Sequence, residues 1–247
     1  MLSSLVSEWT FDEGSNQAVN RTATNDDVKD TWGTNHGTVV GSPQIKGGDD
    51  CVYGRCMSFD GANDYVALGS NSLAVVDDIA ISAWVKPNYL VTTGDQGGII
   101  IGGSSLNHHR FFITNNKIHY YIYDGTTTWL KARNYNFELN KWYHVAVTAD
   151  KFEEKAYWYV NGKQIGLPEN KTVWPTTIDS KLQFIGAVSG AKGLFDGSID
   201  DLRVYNSALS SSQIKQNYIA GLDSMLSKGT LLKDEYNERI QALANPN

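Results

Sequence analysis

GSIDDLRVYNSALSSSQI, residues 197–214, contains the transition that decides the fold. An apolar strand, Ile199 to Tyr205, runs into a turn and then into a helix start, where Ser210 and Gln213 have the spacing of a capping box. Upstream, short strands follow one another; downstream, the period becomes helical. Two adjacent carboxylates, Asp200 and Asp201, stand at the mouth of the strand. Such a pair can do acid–base chemistry, hold a metal, or pin a turn.

Working back from this stretch, strand-like runs recur: SEWTF, HGTVV, RCMSF, DYVAL, IAISAWVKP, GGIII, RFFIT, KIHYYIY, TWLKAR, WYHVAVTAD, KAYWYVNGK and LQFIGA. Each is short and bounded by Gly, Asn, Asp or Pro, which are turn formers. NNK at 115–117 and NGK at 161–163 have hairpin-turn composition. Short strands with no helices between them predict an all-β, antiparallel sandwich or barrel. Working forward, Ile214, Tyr218, Leu222, Met225 and Leu226 fall on one helical face and Gly229 reads as a stop. A second helix follows, with Asp234 and Glu235 in its first turn and Tyr236, Ile240 and Leu243 as its apolar stripe. The expected division is a sandwich over 1–209 and a helical hairpin over 210–247. That hairpin either packs on the sandwich, pairs with another chain, or leads to a further domain.

Charged residues make up 19% of the 247-residue chain and its net charge is −6, with no basic stripe to neutralise phosphates. Nucleic acid is therefore not an expected partner. No apolar run approaches the roughly 18 residues of a membrane helix, so no membrane insertion is expected. The start, MLSSLVSEWTF, shows no signal peptide; the protein is cytosolic or this sequence begins after a removed leader. Cys51 and Cys56 are the two cysteines, too few for a zinc site. Gly54 between them permits the turn of a short-loop disulfide, with two buried thiols as the alternative. A disulfide would favour an extracellular or cell-surface location.

WTFDEGS (9–15), CMSFDGANDYVAL (56–68), ISAWVKP (81–87), NKWYHVAVTAD (140–150), WYVNGK (158–163) and GSIDDLRVYNSALSSSQI (197–214) occur in this order. Together, over about residues 5–220, they resemble the laminin-G-like, concanavalin A-like jelly-roll domains of bacterial surface and secreted proteins. The resemblance implies a jelly-roll β-sandwich that binds glycans or proteins, often with structural calcium. It implies Asp200 as a calcium ligand, with the Thr10–Asp12 region, and so Asp12, contributing, and Asp30 in the early loop where relatives carry an aspartate. If no ion is bound, Asp200 caps the first strand by hydrogen bonds. The tail resembles the short helical hairpins of the SHOCT type over few residues.

Jelly-roll glycosidases carry paired carboxylates on one strand face. Here Glu153–Glu154 and Asp200–Asp201 are adjacent, so strand alternation would separate them. No Gly-x-Ser-x-Gly or His-Glu-x-x-His motif occurs. No enzyme is expected. His108 and His109 read as a solvated loop. Asp60 and Asp64 read as acceptors for turn amides rather than ion ligands. Trp84, Trp142 and Trp158 read as core.

KIHYYIY alternates Ile118, Tyr120 and Ile122 against His119, Tyr121 and Tyr123; TTWLKAR alternates Leu130 and Ala132 against Trp129, Lys131 and Arg133. Paired as a hairpin through DGTTT, the non-aliphatic faces predict one patch of His119, Tyr121, Tyr123, Trp129, Lys131 and Arg133. Flat rings beside hydrogen-bonding groups suit sugar rings, which have apolar C–H faces and polar rims. The leading expectation is a calcium-stabilised module that binds a glycan or polysaccharide. The second is an adhesion or structural module that binds another protein through loops or the tail.

Overall fold

The computed structural model describes residues 4–68, 77–90, 98–103, 107–174, 180–189 and 192–244, so the extreme ends of the two expected units lie outside the described residues. In chain order the strands are β1 (Leu5–Trp9), β2 (Arg21–Thr22), β3 (Thr38–Val40), β4 (Gln44–Gly47), β5 (Arg55–Asp60), β6 (Tyr65–Ala67), β7 (Ile79–Pro87), β8 (Ile99–Gly102) and β9 (Asn107–Thr114). They continue as β10 (Lys117–Tyr123), β11 (Thr128–Asn134), β12 (Tyr143–Asp150), β13 (Lys155–Val160), β14 (Lys163–Gln164), β15 (Glu169–Asn170), β16 (Ser180–Lys181), β17 (Phe184–Ile185) and β18 (Asp196–Tyr205). The helices are α1 (Ser211–Lys228) and α2 (Lys233–Ala244). Among the described residues the strands form a ten-stranded and an eight-stranded sheet. The larger runs β14-β13-β12-β7-β18-β5-β4-β2, and the smaller runs β11-β10-β9-β8-β17-β6-β3.

The inner faces meet in one core. Ile81, Ala83 and Val85 of β7, Val145 and Val147 of β12, Trp158 of β13 and Leu202 and Val204 of β18 pack with Phe111 and Ile113 of β9 and Ile118, Tyr120 and Ile122 of β10. These are alternate residues along each strand, as two faced sheets require.

The outer face of the larger sheet is covered by the tail. Ser210 Oγ accepts from Gln213 N–H and Gln213 Oε1 accepts from Ser210 N–H, a reciprocal capping box that starts α1. Gly229, at φ 78°, ends it. Ile214, Tyr218, Leu222 and Met225 are buried, with Tyr218, Leu222 and Met225 packed on Trp84 and Val52. The Trp84 indole stacks on Tyr218, with centroids 5.5 Å apart, and meets the His144 ring at its edge. The apolar stripe that could have served a partner chain is therefore turned inward onto the sheet. No helix among the described residues is long and apolar enough to cross a membrane.

The position of Asp200 and Asp201 follows from how β18 is shared. Residues 196–199 pair with β5 and residues 202–205 with β1, while β7 runs along the other side. The Asp pair sits at the junction. The β18–β7 register shifts between Asp200 and Arg203, and Asp201 adopts φ 50°. This bulge changes the alternation expected from the sequence. Asp200 lies opposite Trp84, whereas Leu202 and Val204 belong to the inner core. Asp200 is thus on the outer face, facing the helices, and does not share a side with Leu202 and Val204.

Candidate functional site

The six residues expected to form one patch are divided between two faces. Tyr123 pairs with Thr128 across the β10–β11 hairpin, which sets Ile122 opposite Trp129, Tyr120 opposite Lys131 and Ile118 opposite Arg133. Directly opposed residues share a face. Trp129, Lys131 and Arg133 therefore stand on the inward side of the edge strand. Trp129 is 5% exposed, stacks on Trp158 at 6.1 Å, and donates Nε1–H to Asn170 O. The Arg133 guanidinium lies 4.7 Å over Trp158 and pairs with Glu169 at 2.8 Å. Trp129 and Arg133 close the rim of the sandwich, and Lys131 is an exposed rim residue between them. None of the three joins the tyrosine face.

His119, Tyr121 and Tyr123 do share the outward face of the smaller sheet, and β9 extends it. Tyr121 pairs with Arg110 and Tyr123 with His108, so the outward row includes residues the sequence reading placed elsewhere. His108 stacks on Tyr121 with centroids 5.3 Å apart and contacts Tyr123 at 5.7 Å. The Arg110 guanidinium lies 4.7 Å over the Tyr121 ring, and its Nε–H donates to Gly103 O. Next in line, His119 stacks on Phe112 at 4.4 Å, and its Nε2 lies 3.0 Å from Thr114 Oγ1. Tyr121 and Leu130 pack against buried Phe112 and Val188. Arg110, Tyr121 and Tyr123 are partly exposed, so the row presents planar groups to solvent on a floor of apolar contacts. His108 and His109 are strand residues and not a solvated loop: His108 is buried in this row, and His109, facing inward, meets the Tyr120 hydroxyl at 2.8 Å. Arg110 was missed because it opens an apolar run, RFFIT, whose pattern points only to core. The signal that would have found it is its pairing with Tyr121.

The carboxylates form a second arrangement. Asp200 is fully buried, and its Oδ2 accepts from Val52 N–H and Tyr53 N–H, both at 2.9 Å. These amides belong to the loop closed by the Cys51–Cys56 disulfide. Burial pushes the Asp200 carboxyl well above the usual carboxylate range, and the charges of Asp201 and Asp12 add to this. Burial likewise raises Asp201 to about 7, against the Arg203 guanidinium 3.0 Å away. Lys228, from the end of α1, donates Nζ–H to Cys51 O and Tyr53 O of the same loop and to Gly48 O just before it. The helical tail thereby supplies a cation to the loop that holds Asp200.

Asp200 Oδ1 is buried with no hydrogen-bond partner among the described residues. A buried, orphaned carboxylate oxygen that feels the charge of Asp12 is a donor suited to a hard cation such as calcium. Asp12 is half-buried; its Oδ1 accepts from Arg55 N–H at 2.7 Å. Asp200 and Asp12 fit a calcium ion on this ground; Asp30 does not. Its Oδ1 accepts from the amides of Glu8, Trp32 and Gly33, and its Oδ2 from Asn35. Although burial opposes it, these bonds and the Ser7 hydroxyl hold Asp30 below the usual range. Asp30 fastens the early loop to β1. Among the described residues no group of three or more His, Cys, Asp or Glu side chains gathers for a metal, so further ligands would be carbonyls and water. Asp60 and Asp64 cap their turn: Asp60 Oδ1 accepts from Ala62 and Asn63 amides, and Asp64 Oδ2 accepts from Asp60 N–H.

A sequence model of the concanavalin A-like lectin/glucanase superfamily, of the Laminin_G_3 type, matches residues 60–215. The chain belongs to this superfamily. No curated protein matches it in sequence. Among solved structures, it is similar to domain 4 of AbnA, an extracellular arabinanase from Geobacillus stearothermophilus solved with arabinotriose. The TM-score is 0.64 at 20% identity, over 86% of this chain and 97% of that one. The binding domain of Paraclostridial Mosquitocidal Protein 1 gives a TM-score of 0.66 at 16% identity, over 89% of this chain and 53% of that one. The ligand-binding domain of botulinum neurotoxin serotype D, solved with N-acetylneuraminic acid, gives 0.56 at 17% identity, over 86% of this chain and 52% of that one. This superfamily member spans about half of the toxin domains, and at these identities the likeness establishes the jelly-roll fold.

Proposed function

We propose that this chain is a non-catalytic, lectin-like module that binds a glycan or polysaccharide on the outer face of its smaller sheet. The observation that carries the reading is the row Tyr123, His108, Tyr121 and Arg110, in which stacked rings end in a guanidinium at a partly exposed surface. Ring faces pack on the C–H faces of a sugar, and the guanidinium and phenol groups serve its hydroxyls or a carboxylate. That relatives of the same fold were solved with arabinotriose and with N-acetylneuraminic acid supports a saccharide as ligand. A protein ligand bound through the tail has less support, because the stripe on α1 is buried against Trp84.

The test is a glycan array on the whole protein, in calcium and in chelator. Binding to one sugar class is expected. Tyr121→Ala should weaken that binding by about tenfold or more, since a stacked ring contributes on the order of 1 kcal/mol beyond its area. Its circular dichroism and melting temperature should match the wild type. Undiminished binding would move the site off this row.

We further propose structural calcium at Asp200 and Asp12, and an extracellular or cell-surface location, which the Cys51–Cys56 disulfide supports. When bound, the ion would supply the partner that Asp200 Oδ1 lacks among the described residues. In thermal melts the wild type should gain stability on moving from chelator to calcium, and Asp200→Asn should gain none. In chelator the variant should melt at or above the wild type, because it keeps an acceptor for the Val52 and Tyr53 amides and removes a buried carboxylate. An equal calcium response in both proteins would remove Asp200 from the site.

A further inference from the structure

On the other side of the molecule, a groove of about 380 Å³ lies between the outer face of the larger sheet and the start of α1. Its floor comes from the strand register. Tyr157 pairs with Thr148, and Tyr159 pairs with Ala146 on one side and Gln164 on the other, so these side chains share the outward face. One wall is the 208–211 segment, held down where Leu209 N–H donates to Thr148 Oγ1 at 2.9 Å. The other wall is the β12–β13 turn. There Asp150 Oδ1 accepts from Glu153 N–H at 2.8 Å, and Glu153 Oε2 accepts from the Tyr157 hydroxyl.

The chemistry of this lining is specific. The Tyr157 ring is partly exposed, Tyr159 is buried beside it, and Gln164 brings an exposed amide. The carboxylates are acceptors only, and one oxygen of each is left over by the bonds within the turn. No lysine or arginine is among the described residues that line the groove. Acceptors without cations favour ligands that donate hydroxyls and disfavour phosphate, sulfate and uronate groups. A ring face beside amide and carboxylate groups matches the amphipathic faces of a sugar. The volume lies in the range of roughly 300–1,000 Å³ usual for small-molecule sites.

We propose that this groove is a second saccharide site, selective for neutral sugars. It uses none of the residues of the smaller-sheet row, so the two sites stand or fall separately. If both are occupied, the module bridges two sugar chains on opposite faces.

The experiment is nuclear magnetic resonance titration of the full chain with arabinotriose, maltotriose and chitotriose as neutral probes and N-acetylneuraminic acid as the acidic one. At least one neutral trisaccharide is expected to shift amides of residues 148–164 and 207–212, and the acid is not. The shifts should persist in Tyr121→Ala and weaken by about tenfold in Tyr157→Ala, as loss of one ring contact implies. Gln164→Ala, at an exposed position, tests the groove without touching the core. Three results would overturn the proposal: no shift in these segments with any neutral probe, equal shifts with the acid, or affinity unchanged in both groove variants. Failure of the smaller-sheet reading would show separately, as unmoved amides over 108–123 in the same spectra.

Discussion

Trp84→Ala is expected to destabilise the protein by about 3–5 kcal/mol, the range for truncating a fully buried aromatic, and to detach the helical tail. Trp84 is 0% exposed although it lies on the outer face of β7. Its indole is the surface on which α1 rests. A Cβ at Gly221 would come within 2.3 Å of that ring, so the helix approaches at the one residue type that allows it. Tyr218 stacks on one part of the indole and His144 meets its edge. Removing the ring leaves a cavity under the helix and strands Tyr218 and Leu222 without their partner. Chemical denaturation measures the loss, and limited proteolysis within 211–244 reports release of the tail. A loss under about 1 kcal/mol, with the tail still protected, would show that Trp84 does not anchor it.

The second large effect is on acid stability. His144 is fully buried between Trp84 and Tyr218, and burial, aided by the charge of Arg203, pushes its pKa from 6.5 down to about 3. The unfolded chain takes up a proton near pH 6.5, whereas the folded chain resists doing so until about pH 3. The stabilisation is therefore complete above pH 6.5 and is lost as pH falls from there toward 3. At roughly 1.4 kcal/mol per pH unit, the loss between pH 7 and pH 4 is on the order of 3 kcal/mol. Asp200 and Asp201, whose carboxyls burial raises, act in the opposite direction and favour the folded state in acid. The comparison that isolates the histidine is with His144→Phe, which cannot titrate. The difference in unfolding free energy between the two proteins should move by about 3 kcal/mol toward the variant over that interval. A constant difference would mean that the folded protein protonates this imidazole as readily as the unfolded chain does.

Most of the architecture was legible because the strands are short apolar runs bounded by Gly, Asn, Asp or Pro, a signal that survives even in β7, β12 and β18, which are buried on both faces. Ser210 with Gln213, and Gly229, marked both ends of α1 by chemistry that operates within a few residues. The outward row on the smaller sheet was only half legible. Alternation within KIHYYIY and within TTWLKAR was read correctly, but alternation does not say which face of an edge strand points inward. On β11 the inward residues are Trp129, Lys131 and Arg133, since a rim position tolerates long amphipathic side chains that cover apolar surface with their stems. Leu130 and Ala132 look like the buried pair and are not. The bulge at Asp201 was illegible for a different reason: a non-glycine residue at φ 50° carries no local signature, and its cause is the exchange of β5 for β1 along β18.

That exchange also sets an order of events during synthesis. β18, the last strand in order among the described residues, lies inside the larger sheet rather than at its rim, between β7 on one side and β5 and β1 on the other. Until residues 196–205 have left the ribosome, β1 has no partner strand among the described residues, and β5 and β7 each lack a neighbour. The nascent chain must carry open strand edges until β18 has been made. Its folding rests on contacts of long sequence separation, a topology that folds slowly and depends on protection from aggregation meanwhile.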